Sequence, residues 1–233
     1  MIGYDRLSST KVAIKHLKLP DGEVAAWALR EIKALRVLSA HRHPNIVNFR
    51  EVVTMRPSDA NRMLGDVYTV FDAAEGDLGG LIDVEVARAA AAATAAVAAG
   101  TASSAETAAL VECDLRPPFP MALVRHLMRQ LLAGLAFIHS QGYVHRDIKP
   151  ANLLLDRHYN LRIADFGLVK KVTRGQRLTP GMCTPWWRAP EVLLSDDNSG
   201  PLMGPAMDMW SAGVVFTVST FLFVFVCVCA CCA

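Results

Sequence analysis

The sequence predicts an α+β fold with a small, mainly-β N-terminal part and a mainly-α C-terminal part. Short runs rich in Val and Ile, bounded by turn residues, dominate the chain before residue 74. A long helical repeat of Leu and Ile follows at 121–140. With 233 residues and 52% hydrophobic content, the chain is long enough to bury a core of this kind.

The sequence pattern predicts strands and one helix in the N-terminal part. Residues 11–19 alternate and end at Pro20-Asp21-Gly22, which is typical of a strand and a turn. Apolar residues at helical spacing then predict a helix over 24–39. Two β-branched runs, 46–54 and 67–71, predict the remaining strands of a small sheet.

We expect three parts in the chain. Residues 1–74 are expected to form an N-terminal lobe and 75–213 a C-terminal lobe, with boundaries that rest on the family resemblance described below. The second contains an Ala-, Thr- and Ser-rich insertion at about 84–118, which we expect to be a marginal helix or disordered. Residues 214–233 form an apolar, Cys-rich tail. Two explanations stay open for this tail: a membrane anchor, for which its length suffices, and an altered chain terminus, which we favour.

Charge and cysteine content limit the function classes. The 24 basic and 22 acidic residues give a net charge of +2, which argues against a nucleic-acid or membrane-surface binder. Four of the 6 cysteines crowd the end of the chain, so no ladder of spaced disulfides is expected. The start of the chain has no apolar signal-peptide core. We therefore expect an intracellular protein, in the nucleus or cytoplasm.

The strongest chemical signal is a pair of motifs in the C-terminal lobe. His145-Arg146-Asp147-Ile148-Lys149-Pro150-Ala151-Asn152 is followed by Asp165-Phe166-Gly167. Transfer of a phosphoryl group needs a group that positions the attacking hydroxyl, hard oxygen ligands for metal ions and a cation on the phosphates. Single aspartates of this kind are commonly turn formers, but that explanation is improbable for the whole ordered set.

These motifs resemble the catalytic core of the protein kinase family. The resemblance implies a bilobal kinase fold, ATP and Mg²⁺ as cofactors, and Ser or Thr hydroxyls of protein substrates as acceptors. It implies that Asp147 positions the nucleophile and that Lys149 steadies the γ-phosphate. It also implies that Asn152 and Asp165 bind the metal.

The N-terminal lobe extends the resemblance. Val12-Ala13-Ile14-Lys15 resembles the strand whose lysine holds the α- and β-phosphates, and Glu31 occupies the helix position that pairs with this lysine. Alone, Lys15 and Glu31 would be interpreted as a surface salt bridge. The resemblance also implies that Phe71 is the gatekeeper and that the hinge groups of Asp72 and Ala74 contact adenine. It implies that Asp77 contacts the ribose and that Ala13 and Leu154 lie on either side of the base.

A second set of residues resembles the column of side chains that joins the two lobes of kinases. Its members are Leu35, Phe49, His145 and Phe166, with Asp208 beneath them. The position of His145 implies a structural role and not that of a base, which is also the usual role of a lone histidine in an apolar loop.

The segment after the second motif indicates the kinase group. Thr184 to Glu191 resembles the substrate platform of cyclin-dependent and mitogen-activated kinases, except that Trp187 replaces a tyrosine. Thr184 and Arg188 are its candidate substrate-facing residues, and the group implies substrates with Ser/Thr-Pro sites. Gly181 stands where mitogen-activated kinases place a tyrosine, which favours the cyclin-dependent branch.

The resemblance also implies regulation. Thr179 occupies the position of the activating phosphothreonine, and Arg30, Arg146 and Lys170 match the cations that gather around it. A cyclin is the implied partner, and the run Asp77 to Leu81 resembles the transcriptional type. Ala25-Ala26-Trp27 departs from the helix signature of the cell-cycle kinases, which leaves the identity of any cyclin open.

The resemblance fails at both ends of the chain, which predicts a truncated kinase. No Gly-rich loop and no first strand of the lobe precede Lys11, and the expected helices do not follow Gly213. Two functions therefore compete: an active Ser/Thr kinase, which we favour, and a catalytically impaired binding module.

Overall fold

The computed structural model describes residues 1–17, 26–54, 67–99, 119–172, 184–194 and 204–220. The predictions for Thr179 and Gly181, for the insertion beyond residue 99 up to 118 and for the tail beyond residue 220 lie outside these residues.

An antiparallel sheet of four strands in the order β1-β2-β4-β3 forms the N-terminal part. The strands are β1 (Ile2–Asp5), β2 (Thr10–Leu17), β3 (Phe49–Thr54) and β4 (Val67–Asp72). The last three confirm predicted strands. Strand β1 lies ahead of Lys11 and pairs with β2, which corrects the expectation that no first strand precedes that residue. Its four residues, none of them fully buried, are too few to show a period in the sequence.

The strand predicted over 46–54 begins later than expected, at Phe49. The reason is that Ile46 pairs in a parallel bridge with Ile163 of the C-terminal part. Val47 N donates to Ile163 O at 2.9 Å, and Ile163 N donates to Asn45 O at 2.9 Å. The connection between helix and strand is therefore attached to the other half of the molecule.

Helix α1 (Ala26–Ala40) packs between the sheet and the C-terminal part. Ala34, Leu35 and Leu38 are buried in the main core, and Ala28 joins Leu17 and Val67 in a smaller cluster against the sheet. The helix confirms the prediction over 24–39, with its N-terminal boundary outside the described residues.

The C-terminal part is mainly helical, which confirms the α+β class. Its helices are α2 (Leu78–Ala98), α3 (Met121–Ser140), α4 (Pro190–Leu193) and α5 (Ala206–Thr220). The Ala-rich segment is helical through Ala98, in accord with the high helix propensity of alanine. Helix α5 runs across residue 213, where the sequence places the end of the lobe.

Helix α3 is the centre of the core. Its buried side has a helical period and contains Val124, Leu127, Leu131, Gly134, Leu135 and Ile138. Among the described residues, α3 is the one helix long and apolar enough to cross a membrane, and here its apolar side packs inside the protein. Gly134 allows a close approach, because a Cβ there would lie 3.1 Å from Asn45 O and 2.7 Å from Ile163 Cδ1.

Short strands in the C-terminal part position the two sequence motifs. A three-stranded sheet contains β5 (Gly76–Asp77), β7 (Leu153–Leu155) and β8 (Leu161–Ile163). A pair contains β6 (Tyr143–Val144) and β9 (Lys170–Lys171). The first motif follows β6 and the second follows β8, so both begin at fixed points of the sheet structure.

Candidate active site

Lys15 lies on β2 and joins two carboxylates. Its Nζ lies 2.6 Å from Glu31 Oε1 and 2.8 Å from Asp165 Oδ1. Burial opposes the charge of Lys15, but the two carboxylates outweigh it and raise the pKa of Lys15 above its ordinary value. Burial likewise opposes ionisation of Asp165, yet Lys15 lowers the pKa of that carboxyl. The predicted Lys15–Glu31 pair is present, and Lys15 also forms an ion pair with Asp165.

Glu31 is almost completely buried, with 1% of its side chain exposed, whereas 38% of Lys15 is exposed. A buried carboxylate is costly unless a cation neutralises it. The position of α1 is therefore coupled to that of Lys15, because movement of the helix would leave Glu31 without its counter-ion.

Asp147 is held by three side chains in the catalytic-type loop. Its Oδ2 lies 2.8 Å from Lys149 Nζ and accepts a hydrogen bond from Asn152 Nδ2 at 2.9 Å. Its Oδ1 accepts one from Thr184 Oγ1 at 3.3 Å, and Lys149 Nζ donates to the same hydroxyl at 3.1 Å. The structure thus brings together the residues predicted to handle the nucleophile and one residue of the predicted substrate platform.

Asn152 and Asp165 are neighbours through the backbone. Leu153 of β7 pairs with Ile163 of β8, and directly beyond this pair Ala164 N donates to Asn152 O at 2.9 Å. Asp165 is the next residue after Ala164. Asn152 donates both of its bonds to Asp147 through Nδ2, so Oδ1 is the atom that remains as an acceptor. Asp165 is 45% exposed and uses Oδ1 for Lys15, so Oδ2 is the oxygen that neither Lys15 nor Gly167 contacts. These oxygens suit a hard divalent cation.

Asp208 fixes the loop from below. Its two oxygens accept hydrogen bonds from the backbone N–H groups of His145 at 2.9 Å and Arg146 at 2.8 Å. His139 Nε2 lies 2.8 Å from Asp208 Oδ2. Arg146 has a φ of 74°, an uncommon conformation for a non-glycine residue, which these buried bonds stabilise.

His145 is a structural residue in this geometry. It is fully buried, and its ring lies 5.0 Å from that of Phe166. Asp147 N donates to Nδ1 at 3.3 Å and Nε2 lies 3.0 Å from Ala164 O, which together require the neutral Nε2–H tautomer. Burial lowers the pKa of His145. Leu35 is also buried in this core and Phe49 packs against it, in accord with the predicted column.

The predicted nucleotide-binding positions occupy two sheets. Ala13 and Phe71 are cross-strand neighbours on β2 and β4, whereas Leu154 lies opposite Asp77 in the C-terminal sheet. Asp77 Oδ1 accepts a hydrogen bond from Gly80 N at 2.9 Å, so it also stabilises the first turn of α2. Ala74 is half-buried and lies in the chain between β4 of the first sheet and β5 of the second.

A cavity of about 490 Å³ opens beside the Lys15 pair. Its lining includes Lys15 and Asp165 together with the three cations predicted to gather around a phosphothreonine: Arg30, Arg146 and Lys170. Burial and then the positive charges of Arg146 and Arg30 lower the pKa of Lys170. The three cations are therefore close enough to repel one another.

Comparison with known proteins decides the family. The chain matches the model of the protein kinase domain over residues 1–224. It belongs to the protein kinase family.

Relatives of this kinase include cyclin-dependent kinases from several organisms. It is 32% identical to mouse Cyclin-dependent kinase 4 over 210 residues, covering 88% of this chain and 57% of the relative. It is 30% identical to human Cyclin-dependent kinase 9, covering 90% and 48%, and 31% identical to rice Cyclin-dependent kinase C-2, covering 88% and 35%. The chain thus spans between a third and somewhat more than half the length of these relatives. It is a cyclin-dependent-kinase-like protein kinase, as the motifs predict.

The kinase's predicted substrate platform begins at Thr184, beside Asp147. A short 3-10 helix, Pro185–Trp187, follows, and Ser211 Oγ of α5 donates to Trp187 O at 2.7 Å. Arg188 is half-buried at the end of this turn. The bond from α5 attaches the platform to the core of the C-terminal lobe.

The sequence does not predict the contacts of two residues of this kinase, His139 and Arg50. His139 lies in the regular helical repeat of α3, where nothing distinguishes it from a packed surface residue. Arg50 lies within a predicted strand, where it binds Asp72 of the hinge at 2.6 Å. The only sequence signal for Arg50 is a charged residue inside a β-branched run. The chemical roles assigned to the remaining site residues stay predictions.

Proposed function

We propose that this kinase binds ATP with Mg²⁺ and transfers the γ-phosphoryl group to Ser or Thr hydroxyls of protein substrates. The observation that carries the proposal is the continuous ion-pair chain Glu31–Lys15–Asp165. It holds a phosphate-binding cation next to a candidate metal ligand, and both lie near the base-like Asp147 in one cavity.

Asn152 Oδ1 and Asp165 Oδ2 would hold the metal. Bound there, Mg²⁺ would neutralise the charge of the phosphate oxygens during transfer. Lys15 contributes a second positive charge, and Glu31 keeps that charge at the cleft because the buried carboxylate needs it.

Asp147 would accept a hydrogen bond from the substrate hydroxyl and receive its proton as the new O–P bond forms. In the same step the bond between the γ-phosphorus and the β–γ bridging oxygen would break, and ADP would leave. Lys149 and Asn152 hold its Oδ2, so the carboxylate cannot rotate away from the incoming hydroxyl. The Lys149 ammonium lies 2.8 Å from this oxygen and is available to balance negative charge on the transferred group.

We infer that the preferred substrates carry Ser-Pro or Thr-Pro. The support is the Thr184-Pro185-Trp186-Trp187-Arg188 platform, which begins in contact with both Asp147 and Lys149. An acceptor residue bound at Asp147 would therefore place its C-terminal neighbour against this platform.

A cyclin-type protein is the proposed partner, as the names of the relatives suggest. Helix α1 carries Leu29 and Val37, which are 44% and 41% exposed. A partner that covers these apolar side chains would press α1 towards Lys15 and support the Glu31 pair. An intracellular location, in the nucleus or cytoplasm, is part of the same proposal.

Radiolabelled ATP and paired Ser-Pro and Ser-Ala peptides test the function, with and without a cyclin of the relatives. We expect labelling of Ser-Pro peptide that Asp147→Asn abolishes and the exposed-site control Glu51→Gln preserves. Labelling that survives Asp147→Asn would contradict the mechanism. Binding of Mg-ATP without transfer would identify the chain as a binding module, and equal labelling of the two peptides would reject the proline preference.

A further inference from the structure

Strand β3 contains one irregularity, at Arg50. Phe49 pairs with Phe71 of β4 and Glu51 pairs with Val70, so β3 advances two residues while β4 advances one. Arg50 is therefore the extra residue of a β-bulge. Bulges redirect a side chain relative to the regular strand, and they occur frequently beside active sites.

The redirected side chain joins three separate parts of the N-terminal lobe. Arg50 Nε donates to Asp72 Oδ1 at 2.6 Å, and Nη1 donates to Asp5 Oδ2 at 3.0 Å and Ser8 Oγ at 3.2 Å. Nη2 donates to Thr10 Oγ1 at 2.9 Å. All three nitrogens are used, which only the planar fork of an arginine allows. Asp72 and Asp5 raise the pKa of Arg50.

Asp72 is held from its other side as well. Asn48 Nδ2 donates to Asp72 Oδ2 at 2.9 Å, and Asp72 N donates to Asn48 O at 3.1 Å. Asp72 is also paired with Val12 at the end of the sheet. Both carboxylate oxygens and the backbone N–H of Asp72 are thus fixed, and the residue directly follows Phe71 at the start of the hinge.

We propose that Arg50 is a positioning residue for nucleotide binding, acting through Asp72 on the hinge backbone. The inference rests on the proposed binding of Mg-ATP between the lobes. A backbone held in place before the nucleotide arrives loses less conformational entropy on binding, so affinity is higher. Arg50 touches neither Asp147 nor Asn152 nor Asp165, so it should influence nucleotide affinity and leave the transfer step unchanged.

The test compares variants of the full chain by titration with Mg-ATP and by steady-state kinetics. Arg50→Met keeps the apolar stem and removes every hydrogen bond; we expect a roughly tenfold higher Kd and KM for ATP with kcat within about twofold. Arg88→Met is the matched control, because it removes an exposed arginine paired with Glu85 on α2. It should leave Kd, KM and kcat unchanged.

A double variant tests the route through Asp72. If Arg50 acts on the hinge through this side chain, Arg50→Met should weaken binding much less when Asp72→Ala, which removes the acceptor, is already present. Equal effects in both backgrounds would overturn the route.

Folding is controlled by far-UV circular dichroism, and Arg50→Lys provides a milder change, since one ammonium cannot bridge Asp5, Thr10 and Asp72 together. Hydrogen exchange at the amide of Asp72, which donates to Asn48 O in the wild type, should be faster in either variant. Wild-type affinity in folded Arg50→Met or Arg50→Lys would overturn the Arg50 assignment alone. Failure of the wild-type chain to bind Mg-ATP would overturn the proposed function and the inference with it.

Discussion

The two sides of the candidate active site are built differently. On the C-terminal side, Asp208 is buried at 1% exposure and fixes two backbone N–H groups of the loop that carries Asp147. On the N-terminal side, one ion pair joins Lys15, which is 38% exposed, to helix α1. Asp147, the group proposed to handle the substrate hydroxyl, is thus held by the buried core, whereas the position of Lys15, the group proposed to handle the phosphates, depends on α1.

The largest expected effect is a loss of stability on breaking the C-terminal side of the site, where Asp208 holds the loop; this is called the fixed side below. Asp208→Ala leaves two buried N–H groups and His139 without their acceptor, which should lower the free energy of unfolding by about 3–5 kcal/mol. Urea denaturation measures this loss. The control Asp83→Ala, at an exposed position of α2, should change stability by less than about 0.5 kcal/mol. A loss below about 1 kcal/mol for Asp208→Ala would show that the loop is held by other contacts.

The N-terminal side of the site, where Lys15 depends on α1, is called the adjustable side below. Breaking it should affect activity more than stability. Glu31→Gln removes the charge that holds Lys15, and the resulting misplacement should lower kcat/KM about 100-fold. Glu51→Gln, at an exposed position of β3, is the matched control and should retain activity. Peptide phosphorylation at saturating and limiting ATP measures the effect. Full activity in Glu31→Gln would mean that Lys15 does not need the helix.

Overpacking α3 sharpens the comparison, because it strains the fixed side without removing a polar group. Gly134→Ala places a methyl group 3.1 Å from Asn45 O, and we expect a loss of about 1–2 kcal/mol after the gain in helix propensity. Gly213→Ala in α5 meets nothing within 4 Å and should stabilise the protein by about 0.5–1 kcal/mol. Thermal unfolding distinguishes the two. Equal shifts of the two variants would contradict the close packing of α3.

The smallest expected effect is the pH dependence of the adjustable side. The pKa of Asp165 is lowered, so its contribution to stability is present above its ordinary value of 3.8 and is lost as pH falls through the folded pKa. The pKa of Lys15 is raised, so its contribution is present below 10.5 and is lost as pH rises through the folded pKa. Since both side chains are partly exposed, each contribution should stay below about 1 kcal/mol.

Lys15→Met combined with Glu31→Gln removes the cation common to both effects and leaves no buried carboxylate without a counter-ion. This double variant should flatten the stability curve at both extremes of pH. Lys11→Met, an exposed change on the same strand, should leave the curve as it is in the wild type. Identical curves for the two variants would show that the pair does not contribute.

The catalytic loop and the Lys15–Glu31 pair could be predicted from the sequence because their motifs resemble those of the protein kinase family. Without that resemblance, Lys15 and Glu31 would be interpreted as a surface salt bridge. The sequence is not sufficient for β1, whose four residues are defined by pairing with β2. It also does not reveal the bonds of His139 and Arg50, since these join residues 69 and 22 positions away, respectively. Such contacts depend on how elements pack and on a bulge, and no local pattern encodes them.

The segment that follows α1 is bonded to the C-terminal lobe, and this determines how the helix can move. Asn45 donates to Leu161 O at 2.9 Å, and His43 stacks on Phe137 at 4.7 Å, so the C-terminal end of α1 is anchored to the larger lobe. Glu31 lies nine residues before Ala40, about 14 Å along the helix axis from this anchor. With the anchor as pivot, a swing of about 10° would carry Glu31 roughly 2–3 Å sideways. A small rotation of the helix is thus enough to separate Glu31 from Lys15.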